Sequence, residues 1–333
     1  MRRARTVLLP VGGVEDHHVG VAFAAQEAVR RGCDIDVVHV GPAPAAALPP
    51  AGSTTGPVNG QVNGHATGHV TGHVTGQVDV LAHAPGGLVE RTVEAARRSL
   101  GRTGPAVRGR LTHGPVVPVL VEDSRQVDLV VLSRRHAGGA ASLSAMTVAN
   151  AVAAHAHAPV AVVPPRWSPG TTTAPVVIAI AGRPAEAREV LRAGLAQARR
   201  CGARAEAVHG WWYRDAYDDL ARADATGTSE SARRHARLSA ELAAVLAEFP
   251  DVDTRLTVSH GRPDRVLVEA AERAQVVVVG RHRPVLPFGS ELGPLTRSVM
   301  CGAGCPVLVV NSPALEPGPG ATAEAEAIRP RCG

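Results

Sequence analysis

The sequence predicts an α/β protein made of two tandem, doubly wound domains, each with a five-stranded parallel sheet. Three observations lead to this prediction. The 333 residues suffice for two cores of ordinary size. Short Val-rich runs alternate with longer amphipathic runs of helix formers, which is typical of parallel strands covered by helices on both faces. The same order of runs occurs twice along the chain.

The first strand, first helix and second strand of each half are predicted from one repeat. Residues 6–43 and 175–212 each contain an apolar run, a glycine turn, an amphipathic run with an Arg-Arg pair, a glycine and a second apolar run. This is the pattern of a strand, a helix and a strand. At one constant offset the repeat pairs Gly12 with Gly182, Gly32 with Gly202, and His39 with His209.

The remaining elements follow from a second repeat with a different offset. Residues 110–136 align with residues 257–283 in this repeat. Each half ends in a short apolar run, at 160–163 and at 307–310. Each half therefore reads as five strands alternating with four helices, and such sheets bind ligands at the carboxyl ends of their strands. The second repeat pairs Gly114 with Gly261, Glu122 with Glu269, Ser133 with Gly280, and Pro159 with Pro306.

Domain boundaries are predicted from these repeats and from the composition between them. Residues 1–165 form the predicted domain 1 and residues 175–312 the predicted domain 2, with a Pro- and Thr-rich linker between them. Residues 313–333 are expected to be a disordered tail, because they are rich in Pro, Gly and Ala and lack an apolar period.

Domain 1 carries a low-complexity insert at about residues 45–78. Within it, residues 58–77 repeat a tetrapeptide with a glycine in every unit, which opposes a stable helix and predicts a disordered surface loop. His65, His69 and His73 suggest a metal site. Repeat expansion in an unconstrained loop is the favoured interpretation, so no metal site is predicted.

The composition excludes several classes of function. All 35 basic residues are arginine, so the chain has neither a Walker-type phosphate lysine nor a Schiff-base lysine. Basic residues alternate with acidic ones, and no basic block with interleaved aromatics predicts a nucleic-acid surface. No apolar run approaches a membrane span, and the five irregularly spaced cysteines do not form a disulfide pattern. We therefore expect a reduced, cytoplasmic protein.

The strings "FPDVDTRLTVSHGRPDRVLVEAAERAQVVVVGRH" and "GCPVLVV" in the second half resemble the universal stress protein family, and "VVHV" and "APVAVVPP" repeat the pattern more loosely in the first. The resemblance implies a fold similar to nucleotide α-hydrolases and a cytoplasmic stress response through ligand binding. Many members of the family bind ATP and others do not, so the resemblance implies either ATP, with or without Mg, as the ligand or no cofactor at all. Members pair through their last strands, which here implies pairing of residues 160–163 with 307–310 within one chain, or a homodimer.

ATP-binding members of that family resemble each other in a motif of Gly, two residues, Gly, nine residues, Gly, then Ser or Thr. In domain 2, Gly280 and Gly293 match the first and third glycines, and Thr296 fits a nearby hydroxyl position. Arg283 replaces the second glycine, where it could pair with a phosphate, and Pro294 replaces the Ser or Thr. The candidate nucleotide-binding residues are Ala181, which replaces the Asp that usually faces adenine, Gly182, His209, Gly261, Gly280, Arg283, Gly293 and Thr296.

The same motif is more degenerate in domain 1. Ser133, His136 and Met146 replace the three glycines, and Thr147 alone keeps its type. Domain 1 is therefore predicted to be a structural partner. The residues of its degenerate site are Gly12, Gly13, Ser133, His136 and Thr147.

The segment "WWYRDAY", residues 211–217, holds four of the eight aromatic residues and follows a predicted strand at the carboxyl edge of the sheet. These rings could stack on a ligand. The favoured interpretation is that they cover the following helix or the contact between the domains. Cys305 precedes the last strand and is expected to be a packed, unreactive thiol.

Three functions remain open from the sequence. The leading hypothesis is a stress-response protein that binds an adenine nucleotide in domain 2 and does not turn it over. The second is a nucleotide-free scaffold or regulatory partner for other proteins. Weak ATP hydrolysis ranks last, because the loop contains no evident base or metal-binding carboxylate.

Overall fold

The computed structural model describes eight segments of the chain, which are residues 5–12, 18–42, 85–134, 139–170, 173–181, 183–213, 216–281 and 292–311. For residues 85, 139–146 and 216–228 the description is limited to the backbone. The predicted insert and tail lie outside the described residues. So do four predicted site residues, which are Gly13, His136, Gly182 and Arg283.

Both halves alternate strands and helices in the predicted order. The first half consists of β1 (Thr6–Pro10), α1 (His18–Arg31), β2 (Asp34–Gly41), α2 (Pro85–Leu100), β3 (Val107–His113), α3 (Val116–Asp123) with a 3₁₀ turn at Ser124–Gln126, β4 (Leu129–Ser133), α4 (Gly139–His155) and β5 (Val160–Val163). The second half consists of β6 (Val176–Ala179), α5 (Pro184–Cys201), β7 (Ala205–Trp211), α6 (Ala216–Ala247), β8 (Thr254–His260), α7 (Pro263–Ala271), β9 (Val276–Gly280), α8 (Pro294–Gly302) and β10 (Val307–Val310).

The strands form one sheet in the order β3-β2-β1-β4-β5-β10-β9-β6-β7-β8. All neighbours within each half are parallel. The halves meet where β5 and β10 pair antiparallel, with Leu308 opposite Ala161. The predicted α/β class with two doubly wound, parallel five-stranded units is confirmed, and the units lie edge to edge in a continuous sheet.

The sheet has helices on both faces, and each face buries one core. Helices α1, α2, α5 and α6 cover the first face, and α3, α4, α7 and α8 cover the second. Each core includes residues of both halves, so the apolar packing follows the faces of the sheet and does not stop at the domain boundary. The central strands are runs of valine because both of their faces are buried.

The helix ends explain two conserved features of the internal repeat. α1 and α5 each have an Arg-Arg pair in the last turn, where cations interact favourably with the helix dipole. Gly32 and Gly202 follow with φ of 61° and 59°, a left-handed conformation that glycine adopts without steric cost. Among the residues that the structure describes, no helix is both long and apolar enough to cross a bilayer.

Candidate functional site

The second half has its topological switch point between β6 and β9. These strands are direct neighbours, while the chain leaves β6 toward β7 on one side and leaves β9 toward β10 on the other. The crossover connections therefore diverge, which opens a crevice at the carboxyl ends of the two strands.

A cavity of about 400 Å³ occupies this crevice. Its volume lies within the range of about 300–1,000 Å³ that small-molecule sites take. The cavity is bounded by the ends of β6 and β9, by the residue after β7, and by the first turns of α5, α7 and α8. Its lining residues are Ala179, Ala181, Glu186, Val190, Trp212, Arg262, Pro263, Asp264, Val279, Gly280, Arg281, Gly293, Pro294, Leu295 and Thr296.

Four residues of the predicted site thus line one cavity. Ala181 follows β6, Gly280 ends β9, and Gly293 and Thr296 belong to the start of α8. The Thr296 hydroxyl donates to the Gly280 carbonyl at 3.0 Å, so it fixes the first turn of α8 against the end of β9. Thr296 is buried, and its hydroxyl oxygen retains acceptor capacity.

Three helices begin at the cavity, and each has proline in its first turn. Gly293 is the N-cap of α8, Arg262 the N-cap of α7 and Arg183 the N-cap of α5. Proline at the first helical position removes an amide that has no intrahelical partner, so each helix keeps its next amides for a ligand. The dipoles of these helices make the cavity favourable for negative charge.

Two ion pairs lie at the cavity, while Arg281, which also lines it, donates to the Ala156 carbonyl. The Arg262 guanidinium contacts Asp264 with Nε to Oδ1 at 3.2 Å, and Arg183 Nη1 lies 3.2 Å from Glu186 Oε1. The hydrogen bond from Arg262 lowers the pKa of Asp264 below its ordinary value. The cavity therefore has a carboxylate and a largely exposed guanidinium side by side at the start of α7.

The two other predicted residues of domain 2 that the structure describes, His209 and Gly261, make hydrogen bonds to backbone carbonyls at strand ends. His209 is buried and donates from Nδ1 to the Ile180 carbonyl at 2.9 Å. Gly261 has φ of 143°, and its amide donates to the Trp211 carbonyl at 2.8 Å. Neither residue is among those that line the cavity.

The aromatic segment divides between two roles. Trp211 is 3% exposed, donates from Nε1 to Ser231 of α6 at 3.0 Å, and lies beneath the Arg234 guanidinium. It covers the helix that follows, as the favoured interpretation expected. Trp212 is 45% exposed and lines the cavity, where its ring can meet a ligand.

Sequence reasoning missed several lining residues, above all Arg262, Asp264 and Glu186. A signal for the first two was present, because "GRPD" follows a predicted strand and opens a helix. A helix that begins at the carboxyl edge of the sheet faces the ligand crevice. Glu186 had no such signal, since acidic residues in a first helical turn are common on solvated surfaces.

Domain 1 packs differently at the corresponding place. The repeat pairs Gly20 with Val190 and Ser133 with Gly280. A Cβ on Gly20 would overlap Ser133 Oγ, so α1 lies directly against the end of β4. In domain 2, Val190 and Gly280 both line the open cavity. Of the other predicted residues of domain 1, Gly12 follows β1, and Thr147 is exposed on α4.

No cluster of three or more His, Cys, Asp or Glu side chains with metal-binding geometry occurs in the described part of the chain. The residues 58–77, with their three histidines, lie outside that part. The cavity is therefore a partly apolar crevice with helix amides at its edge and with Arg262, Arg281, Asp264 and Glu186 in its lining.

The chain is similar to known proteins over nearly its whole length. The sequence profile described as "Universal stress protein family" matches residues 3–164 and 173–311. A universal stress protein of Mycobacterium tuberculosis (strain ATCC 25618 / H37Rv) is 30% identical over 321 residues, which cover 92% of this chain and 95% of the relative. A universal stress protein of Mycolicibacterium smegmatis is 26% identical over 307 residues, covering 92% and 96% respectively.

A solved structure has the same fold. The crystal structure of a universal stress protein from Archaeoglobus fulgidus aligns with a TM-score of 0.59 at 13% sequence identity. The alignment covers 93% of this chain and 97% of that chain. At this identity the likeness supports the architecture and nothing more specific.

Proposed function

The chain belongs to the universal stress protein family, and from this premise we propose that it binds an adenine nucleotide in the cavity of domain 2. In this proposal the protein acts in a cytoplasmic stress response through what it binds, without turnover. The observation that carries the proposal is the cavity of about 400 Å³ at the switch point of the second half. Domain 1 is proposed as a structural partner, because Gly20 of α1 lies against Ser133 of β4, whereas the corresponding Val190 and Gly280 line the cavity of domain 2.

The phosphate end of the ligand is assigned to the helix side of the cavity. The first turns of α7 and α8 present backbone amides, and Gly293 at the N-cap of α8 adds no side chain to the approach. Arg262 supplies a guanidinium that can contact a phosphate oxygen while it keeps one bond to Asp264. Arg283, which lies outside the described residues, remains a predicted second guanidinium of this kind.

Asp264 and Glu186 determine whether a metal ion accompanies the ligand. The low pKa of Asp264 keeps that carboxylate charged near neutral pH, so it repels an uncompensated phosphate chain. A nucleotide bound with Mg²⁺ would meet the carboxylate through the cation, because Mg²⁺ prefers carboxylate and phosphate oxygens. We therefore expect binding of ATP to be stronger with Mg²⁺ than without it.

The base is assigned to the apolar side of the cavity. Ala179, Val190 and Leu295 line this side, and Trp212 stands at the mouth with its ring available for stacking. Ala181 stands where family members usually have an adenine-facing Asp, so apolar contact and stacking replace a directional hydrogen bond. We expect weaker discrimination between adenine and guanine than an Asp at this position would give.

Calorimetric titration with ATP and ADP, with and without Mg²⁺, tests the proposal. Wild-type protein should release heat at micromolar ligand, and Ala181→Trp should abolish it because the indole fills the cavity. Ala236→Trp is the matched control, since Ala236 is exposed on α6 and the same side chain there leaves the cavity unchanged. Phosphate release measured on the same samples should remain at background.

Two outcomes would contradict the proposal. Wild-type protein that gives neither heat nor a thermal shift at millimolar nucleotide lacks the site, and the nucleotide-free scaffold becomes the better explanation. Heat that survives in Ala181→Trp places the ligand elsewhere in the molecule. Steady phosphate release that Ala181→Trp removes would instead indicate the weak ATPase.

A further inference from the structure

Two arginines in matching positions cross the boundary between the domains in opposite directions. Arg134 follows β4 of domain 1, and the internal repeat pairs it with Arg281, which follows β9 of domain 2. The Arg134 guanidinium donates to the carbonyls of Met300 and Cys301 at 2.6 and 2.5 Å. Arg281 donates from Nη2 to the Ala156 carbonyl, just after α4, at 2.8 Å.

The contact of Arg134 satisfies the end of a short helix. The last carbonyls of any α-helix lack intrahelical partners, and α8 has nine residues, too few to be stable in isolation. One of these carbonyls, that of Val299, accepts the amide of Ala303. Arg134 takes two more and adds a bond from Nη2 to the Ala303 carbonyl at 3.2 Å.

The charge of Arg134 also suits this position. A guanidinium at the carboxyl end of a helix interacts favourably with the helix dipole. Burial lowers the pKa of Arg134, because the guanidinium has lost part of its hydration. The hydrogen bonds to the carbonyls replace the lost contacts with water. Loss of the side chain would leave those carbonyls without their donor.

The opposite end of α8 is a wall of the cavity. Pro294, Leu295 and Thr296 line it, and Thr296 is bonded to the Gly280 carbonyl at 3.0 Å. Nine residues span about 13 Å along the helix axis, so α8 moves as one short rod. A shift at its carboxyl end therefore changes the position of the amides at its amino end.

We propose that Arg134 of domain 1 is a positioning residue for the ligand cavity of domain 2, acting through the carboxyl end of α8. The inference rests on the proposed nucleotide site for its effect on binding. Its structural part, that Arg134 holds α8 in place, stands independently of any ligand. Domain 1 then contributes a side chain that supports the site of domain 2.

Amide hydrogen exchange and ATP titration of full-length Arg134→Ala, Arg134→Lys and Asn311→Ala test this inference. Asn311 is the matched control, because its Nδ2 donates across the same boundary at 2.6 Å to the carbonyl of His157, which follows α4 and not α8. In Arg134→Ala the α8 amides should exchange about tenfold faster, and the Kd for Mg·ATP should rise about tenfold. Arg134→Lys should be intermediate, since one ammonium reaches fewer carbonyls than the guanidinium fork. Asn311→Ala should match wild type in both measurements.

The amides of β9 serve as an internal reference that separates local loosening from global unfolding. Unchanged α8 exchange in Arg134→Ala would overturn the inference, and so would faster α8 exchange with an unchanged Kd for ATP. If wild-type protein binds no ATP, the proposed function fails by itself. The exchange comparison without ligand then decides alone whether Arg134 positions α8.

Discussion

His209 is a buried histidine whose Nδ1 donates to the carbonyl of Ile180. Ile180 directly follows β6, the first strand of domain 2. His39 makes the same contact with the Val11 carbonyl in domain 1, also at 2.9 Å. The equivalence explains why both repeats keep histidine at this position, since a ring donor holds the end of one strand to the next. A structural role of this kind accounts for His209 without acid-base chemistry.

The burial of His209 predicts a dependence of stability on pH. Burial lowers the pKa of His209 below its ordinary value of about 6.5, and the nearby Arg234 lowers it further. Below about pH 6.5 the unfolded chain binds a proton that the folded protein resists. The free energy of unfolding should therefore fall with the pH from about 6.5 downward, until the folded ring also protonates.

Urea unfolding of wild type and His209→Asn between pH 7.5 and about 5 measures this contribution. Asparagine can donate to the Ile180 carbonyl but does not titrate, so the variant should lose less stability than wild type as the pH falls. His39→Asn controls for removal of one histidine from the corresponding position. Equal pH slopes for wild type and His209→Asn would show that His209 is not the group responsible.

At the scale of elements, β7 and α7 approach each other more closely than any side chain on Gly210 would permit. A Cβ at this position would lie 2.7 Å from the Pro263 Cα, so the start of α7 would have to move. That start supplies Arg262, Pro263 and Asp264 to the cavity. The contact of β7 with α7 therefore sets one dimension of the site.

Gly210→Ala should destabilise the protein by about 1–3 kcal/mol, because the added methyl group meets backbone atoms that cannot rotate away. Gly304→Ala is the control, since a Cβ on Gly304 meets nothing within 4 Å. That control should stay within about 0.5 kcal/mol of wild type. Urea unfolding measures both, and equal values for the two variants would show that α7 can shift at no cost.

The order of the elements could be predicted from the sequence because the signals are local. Runs such as Val276–Val279 and the arginine pairs in the last turns of α1 and α5 lie within the segments they define. The cavity was only partly predictable, because Gly280 and Gly293 match motif positions and Thr296 lies close to one. Trp212 and Arg262 do not, and they reach the cavity through the way that β7 and α7 pack.

Contacts between the domains lay beyond sequence reasoning for a physical reason. The carbonyls that Arg134 and Arg281 contact stand 166 and 125 residues away in the chain, and any arginine can donate to any helix end. The pairing of β5 with β10 determines which helix end each arginine contacts. Once that pairing exists, both arginines fall beside the last helix of the other half.

At the scale of the whole molecule, a buried polar cluster joins the domains on the face opposite to the arginine contacts. Glu27 and Arg31 of α1 form an ion pair at 2.8 Å, and Gln197 of α5 bonds to both of them. Glu27 is 1% exposed and Gln197 is completely buried. The internal repeat pairs Glu27 with Gln197. The cluster therefore forms between equivalent positions of the two halves that carry different residues.

Glu27→Ala should cost about 3–5 kcal/mol, because it leaves the charge of Arg31 buried without a counter-charge. Glu94→Ala is the matched control, since Glu94 and Arg98 form an exposed pair with the same spacing on α2. Its loss should cost less than about 1 kcal/mol.

Thermal unfolding by calorimetry should also show one transition for wild type, because both cores extend across the domains. Equal costs for the two variants, or two separate transitions, would contradict this account.

The antiparallel pairing of β5 with β10 gives the molecule two unlike ends. Parallel strands within each half and an antiparallel junction between them place the carboxyl margin of one half beside the amino margin of the other. The carboxyl ends of the strands of domain 1 and those of domain 2, where the cavity lies, therefore point in opposite directions. A molecule that enters or contacts this cavity therefore meets the protein at the carboxyl ends of the domain 2 strands, and the two ends of the sheet are not equivalent.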